Sequence, residues 1–287
     1  MQARRRSLRV ANAAYIILLC YLSRWAHCFD YCQLTCLSNG QETPHTMCEY
    51  KETPGPHCTG YKREALTQEE KNILLKKHND LRRTVALGRE TRGSPGPQPP
   101  ASDMSELMWD DELAKIAQRW SDQCTEGHDK CRRVERFAVG QNYASSSTTA
   151  PTFLKELEVH VQRWYDEVKD VAPDTVNKFP GSSTGIIGHY TQLVWAQTKY
   201  VGCGRTFYED NGKRTTTLLC NYGPAGNFLG SKLYRKGKPC SACKEGATCN
   251  DGLCSYGGAR CNARPELFLS ILMSSVLIFV THYVDLD

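Results

Sequence analysis

Apolar residues recur at helical spacing in three stretches of this chain and at strand-like spacing in a fourth. Thr67-Gln68-Glu69-Glu70 has the form of a capping box, the start signal of a helix. Behind it Leu74, His78, Leu81 and Val85 fall on one stripe, and Gly88 closes the segment. His78 shares that stripe, so it is expected packed and hydrogen-bonded inside. A second helix is predicted with Trp109, Leu113, Ile116, Trp120 and Cys124 on one face. A third is predicted over about residues 152–168, with Phe153, Leu157, Val161, Trp164 and Val168 as its stripe. These aromatics read as core. Gly93-Ser94-Pro95-Gly96-Pro97-Gln98-Pro99-Pro100 cannot be helical and reads as a stiff loop. The Ser/Thr run at 145–149 reads as a surface loop.

Residues 200–208 and 214–222 read as two strands around Asn211-Gly212, a dipeptide that favours a two-residue hairpin turn. With that turn Cys203 faces Cys220 at a non-hydrogen-bonded position, where Cα atoms lie about 4.5 Å apart. A disulfide tolerates that separation. Helices plus a hairpin indicate an α+β layered domain of roughly 200 residues.

The length of 287 residues allows one large domain or two small ones, and 40% hydrophobic content excludes wholesale disorder. The formal charge of +5 is carried by Arg4, Arg5, Arg6, Arg9 and Arg24. Without residues 1–28 the chain is neutral, which removes the electrostatic footprint of a nucleic-acid binder. Those residues read as a secretory signal: a basic start, an apolar run over 10–22 and small residues Ala26 and Cys28 around a cleavage point. A mature chain beginning near Phe29 enters an oxidising compartment, where cysteines pair. At the other end, residues 267–280 form an apolar run shorter than a spanning helix needs. With Gly257, Gly258 and Ala259 and the spacer 260–266 it has the form of a lipid-anchor signal, although the last seven residues are polar. A tail on a fully secreted protein is the equal alternative. Of 15 cysteines, 12 remain once Cys20, Cys28 and Cys261 are set aside, an even number.

Cys32, Cys36, Cys48 and Cys58 lie in a lead segment over 29–66 that has no helical or strand period and needs crosslinks for order. No nucleophile elbow and no phosphate loop occurs. Paired cysteines leave no thiolate nucleophile. What remains is His128 after the second helix, Glu167 near the end of the third, and His189. Two histidines and a carboxylate are a donor set for a divalent metal, zinc or copper. Residues so far apart in sequence are usually unrelated surface or capping groups. Glu158, His160 and the Lys130/Arg132/Arg133/Arg136 cluster read as solvated surface.

Gly188-His189-Tyr190-Thr191-Gln192-Leu193-Val194-Trp195 and Cys220-Asn221-Tyr222-Gly223-Pro224-Ala225-Gly226-Asn227-Phe228 resemble the two signature motifs of the CAP superfamily. His78-Asn79-Asp80-Leu81-Arg82 and Gly140-Gln141-Asn142 resemble its two smaller ones, and the likeness spans about residues 30–255. The lead segment and the Pro-rich loop are most similar to the arthropod antigen 5 branch. The resemblance implies a three-layer α-β-α sandwich whose cleft holds His128, His189, Glu167 and Gln141, the last in place of a Glu found in many members. Gln141 lacks a charge for binding metal or for general-base work. The resemblance also implies disulfides Cys32–Cys48, Cys36–Cys131 and Cys58–Cys124, and in a short C-terminal hinge Cys240–Cys249 and Cys243–Cys254. The domain plan that follows is a signal over 1–28, the lead segment over 29–66, the CAP domain over 67–235, the hinge over 236–256 and the tail over 257–287. The functional expectation is a secreted, non-enzymatic antigen 5-like protein of venom or saliva that needs no cofactor. Its expected partners are sterols, fatty acids, lipid mediators or host proteins, with a membrane engaged only through the tail. A metal-assisted hydrolase or redox site at His128, His189 and Glu167 is one alternative. A lipid-anchored adhesion or defence protein is another.

Overall fold

A computed structural model describes residues 29–38, 40–181 and 185–257. The leader over 1–28 and the apolar run of the tail lie outside the described residues. Among the described residues no helix is long and apolar enough to cross a membrane. They form two compact units, one from the described part of Met1–Leu66 with Asp110–Lys155 and Gly202–Gly223. The other comprises Thr67–Trp109, Glu156–Val201 and the described part of Pro224–Asp287.

In the first unit the lead segment is more regular than its sequence indicates. Strands β1 (Thr35–Ser38) and β2 (Gln41–Pro44) pair antiparallel, with Gly40 at φ +77° in the turn. The short helix α1 (Thr46–Glu49) is capped by the His45 ring, whose Nδ1 accepts from the Met47 amide at 3.0 Å. Strand β3 (Thr59–Lys62) then joins a sheet that the hairpin dominates. Strand β6 (Tyr200–Asp210) and β7 (Lys213–Gly223) flank Asn211 at φ +49° and Gly212 at φ +73°, the two left-handed residues a tight hairpin needs. Strand β5 (Gly140–Thr148) pairs along the whole of β7, giving the order β3-β6-β7-β5. This overturns the surface-loop expectation for 145–149. The strand holds because its hydroxyls are matched across the ladder, with Ser147 Oγ 2.9 Å from Thr215 Oγ1.

Helix α3 (Asp111–Ser121) is capped by Asp110, whose Oδ1 accepts from the Leu113 amide at 2.9 Å. It lies so near β6 that a Cβ on Gly202 would sit 2.3 Å from Asp110 O, and one on Gly204 2.4 Å from the Gln118 amide nitrogen. Two glycines thus set the helix–strand distance. Leu113, Ile116, Ala117 and Trp120 are its buried stripe. Cys124 lies past the helix end at φ +52°, not on the stripe. Four disulfides tie this unit: Cys32–Cys48, Cys36–Cys131, Cys58–Cys124 and Cys203–Cys220, the last with Cα atoms 4.1 Å apart.

The second unit is built on α2 (Gln68–Ala86). Its capping box is complete: Thr67 Oγ1 accepts from the Glu70 amide at 3.2 Å and Glu70 Oε2 from the Thr67 amide at 2.9 Å. Leu74, His78, Leu81 and Val85 are buried, and His78 Nδ1 donates to Leu74 O at 2.7 Å. Helix α4 (Leu157–Asp166) packs on α2. It starts five residues later than its periodicity predicts. The Phe153 ring packs on Phe207 at 5.2 Å, and Leu154 O accepts from Thr216 Oγ1 at 2.8 Å, so contacts in the first unit hold the expected first turn extended. Trp109, expected on the second helix, belongs to β4 (Met108–Trp109), which pairs in parallel with Tyr200 and Val201. His160 is buried rather than solvated. The hinge strands β8 (Thr248–Asn250) and β9 (Leu253–Ser255) pair, and Cys240–Cys249 and Cys243–Cys254 fasten them.

Candidate functional site

His128 and Gln141 meet in the first unit. Gln141 is the second residue of β5 and stands opposite Asn221 of β7. Asn221 Nδ2 donates to Leu113 O at 3.2 Å, which turns its Oδ1 toward Gln141. Gln141 Nε2 then donates to Asn221 Oδ1 and to Asp129 Oδ1, each at 3.0 Å. Both amide hydrogens are spent, so Gln141 Oε1 faces His128, 2.8 Å from Nδ1. An amide oxygen only accepts, so the His128 ring carries a proton on Nδ1. A helix carbonyl thus places an imidazole proton through two amides.

Asp129 was not singled out by the sequence. It is buried, takes the Thr46 hydroxyl and pairs with Arg132, while Arg136 binds the carboxylates of Asp110 and Glu112 at 2.8 Å. Arg132 and Arg136 are therefore ion-paired, not merely solvated. The available signal was the i, i+3 spacing of Asp129 and Arg132, which is too common to stand out. Asp129 also explains Gln141: a glutamate there would set two carboxylates together and offer Asp129 and Asn221 no donor. Gln141→Glu is expected to cost about 2 kcal/mol of stability at neutral pH, and less below about pH 5, where the introduced acid takes up a proton. Chemical denaturation at both pH values checks this; equal stability to the parent at pH 7 contradicts it.

Glu167 and His189 meet in the second unit. Glu167 follows α4 directly and faces α5 (Gly188–Leu193). Its Oε2 accepts from the backbone amides of His189 at 2.8 Å and Tyr190 at 3.0 Å, and its Oε1 lies 2.5 Å from His189 Nδ1. The carboxylate thus caps the helix and holds the His189 proton on Nδ1. The His189 ring lies nearly parallel to Trp164, with centroids 6.2 Å apart. Asn227 links the two signature segments: its Oδ1 accepts from Thr191 Oγ1 at 2.7 Å and its Nδ2 donates to Gly188 O at 2.8 Å.

Both oxygens of Glu167 are committed to this cap, and Gln141 is neutral. Among the described residues no group of three or more His, Cys, Asp or Glu side chains is arranged to hold a metal ion. Within each unit the candidate donors come to one histidine, beside the Gln141 amide in the first and beside the committed Glu167 carboxylate in the second, short of the three protein ligands that a zinc or copper site uses.

The model of the cysteine-rich secretory protein family, CAP, matches residues 75–222. Venom allergen 3 of Solenopsis invicta is 48% identical over 210 residues, covering 71% of this chain and 88% of the relative. Venom allergen 5 of Vespula vidua is 47% identical, covering 72% of this chain and 98% of the relative. Among solved structures, NaASP2 with Zn2+ is 32% identical at a TM-score of 0.56, covering 71% of this chain and all of that one. Na-ASP-1 is 28% identical at a TM-score of 0.57, covering 77% of this chain and 54% of that one.

Proposed function

Because this chain belongs to the cysteine-rich secretory protein (CAP) family, and is similar to the venom allergens 3 and 5 of ants and wasps, we propose that it is a secreted, non-enzymatic binding protein of the antigen 5 kind. Its ligands are small apolar molecules or host proteins. The observation that carries this reading is how the candidate cleft groups are engaged. Gln141 offers an amide where acid–base work needs a second carboxylate, and Glu167 is consumed by a helix end and an imidazole. The other carboxylate beside these groups, Asp129, is buried and taken up by Gln141, Thr46 and Arg132. The 12 disulfide-bonded cysteines supply no thiolate and fit an oxidising compartment.

The apolar-ligand class follows from the family resemblance. Titration of the purified protein with fluorescent sterol and fatty-acid probes tests it, and saturable one-to-one binding of at least one probe is expected. Absence of saturation with every probe removes small lipids and leaves protein partners. Metal content of the parent and of His189→Ala is expected to be equally low. Stoichiometric zinc in the parent, together with a hydrolytic or redox activity, both abolished by His189→Ala, would overturn the non-enzymatic reading.

A further inference from the structure

The second unit exposes three large apolar side chains: Ile186 and Leu229, each 77% accessible, and Phe228, 52%. Side chains of this size are seldom left in water without a use when they are neighbours. Here the backbone makes them so. The loop carrying Phe228 and Leu229 pairs with residues 176–181 through Phe179 N to Ser231 O at 2.8 Å, Gly230 N to Phe179 O at 2.9 Å and Leu233 N to Val176 O at 3.0 Å. The bond from Asn227 to Gly188 O, at 2.8 Å, ties the residue before Phe228 to the one two positions after Ile186. Beneath them, Phe228 leans on the buried Trp195 ring at a centroid distance of 6.4 Å. The tip is therefore held on a rigid base.

Charge is the second and independent observation. Outside the leader the chain is neutral, yet from Pro224 to Lys244 it carries Lys232, Arg235, Lys236, Lys238 and Lys244 and no carboxylate; Arg235 and Lys236 pair with Asp103 and Asp174 at 3.9 and 3.6 Å, so Lys232 is the cation of this stretch that bears on the tip. Lys232 lies beside the pairing with Phe179, and Lys178 precedes that residue, so the two exposed lysines flank the apolar tip. Apolar side chains flanked by two lysines match a bilayer whose surface is anionic: the apolar groups enter the acyl boundary and the ammonium groups meet phosphate and carboxylate headgroups.

We infer that the tip formed by Ile186, Phe228 and Leu229, with Lys178 and Lys232 beside it, docks on anionic lipid surfaces. The contact is peripheral and does not depend on a small apolar ligand or on the C-terminal tail. The test is co-sedimentation of the full secreted chain with vesicles of phosphatidylcholine alone and of phosphatidylcholine mixed with phosphatidylserine. Binding to the mixed vesicles only is expected, weakening as salt is raised. Phe228→Ser with Leu229→Ser is expected to reduce it about tenfold or more, as is Lys178→Glu with Lys232→Glu. All four positions are exposed, and matching thermal melts confirm that each variant folds. No binding to mixed vesicles overturns the inference. So does equal binding to both kinds, which marks the tail or another apolar surface. Loss in the lysine variant but not in the Phe228/Leu229 variant also overturns it, pointing to an acidic protein or glycan as the occupant. Probe titrations of the kind described above are run on the same variants as a separate readout, so that failure of either reading is distinguished from failure of the other.

Discussion

Replacing Arg82 with methionine is expected to remove about 3–5 kcal/mol of stability, enough to unfold a marginal domain. Arg82 is fully buried on α2. Its Nε and Nη2 donate to Ser105 O at 2.9 and 2.6 Å, Nη1 donates to Leu193 O at 2.7 Å and Trp195 O at 2.9 Å, and Nη2 reaches Thr198 O at 3.3 Å. A single planar fork satisfies four buried carbonyls, three from irregular chain and one from a helix end. One of them, Leu193 O, ends α5, so the cation also meets the negative end of the helix that carries His189. Methionine fills the volume and leaves the carbonyls buried without these donors. Arg82→Lys separates charge from geometry: one ammonium cannot span four carbonyls in a plane, so most of the loss is expected there as well. Urea denaturation with disulfides intact measures both. A loss below about 1 kcal/mol in Arg82→Met would show that the carbonyls find other partners.

The same residue shows what sequence reading reaches and where it stops. Arg82 falls four residues beyond His78 and eight beyond Leu74, on the face that is buried. Periodicity alone places it inside; its charge argues for the surface, and only the four carbonyls, at least 23 residues away in sequence, settle the matter. Helix α2 was legible because its signals are local: a capping box, one stripe and a glycine at φ +67°. The hairpin was legible because Asn211-Gly212 sets both turn and register. Strand β5 was not, since serines and threonines become strand residues only when partners such as Thr215 take their hydroxyls. The start of α4 failed for a related reason, Phe153 being drawn to Phe207. At the candidate site the two histidines and Glu167 stood out by residue type. Asp129 and Asn221 did not, because their roles lie in orienting Gln141, and orientation leaves no trace in spacing.

Stability is expected to fall on acidification beginning near pH 6.5, well above the range where carboxylates titrate. Burial pushes the His78 imidazole down from 6.5 to about 4, with the nearby Arg82 charge acting in the same direction. Burial also lowers His45 and His160, aided at His160 by Arg163. His45 has a specific reason to stay neutral: its Nδ1 accepts the Met47 amide that starts α1 while its Nε2 lies 2.8 Å from Arg133 O, so a second ring proton would displace the cap. Above pH 6.5 neither the folded nor the unfolded chain protonates these rings, and they leave stability unchanged. Between 6.5 and about 4 the unfolded chain binds protons that the folded chain refuses at His78, so stability drops with falling pH. Each such histidine contributes a slope of about 1.4 kcal/mol per pH unit, which over this interval comes to roughly 3 kcal/mol for His78. Glu90 and Asp166, held below their usual values by Arg92 against the opposing cost of burial, act in the opposite chemical sense. Their stabilisation is present above the ordinary carboxylate range and is lost only below it, so denaturation at pH 7, 6 and 5 isolates the histidines. His78→Gln is expected to flatten that slope by about 1.4 kcal/mol per unit whatever its effect at pH 7. An unchanged slope in the variant would mean that His78 takes up its proton in the folded state, and that the α2 core admits the charge its packing is read as excluding.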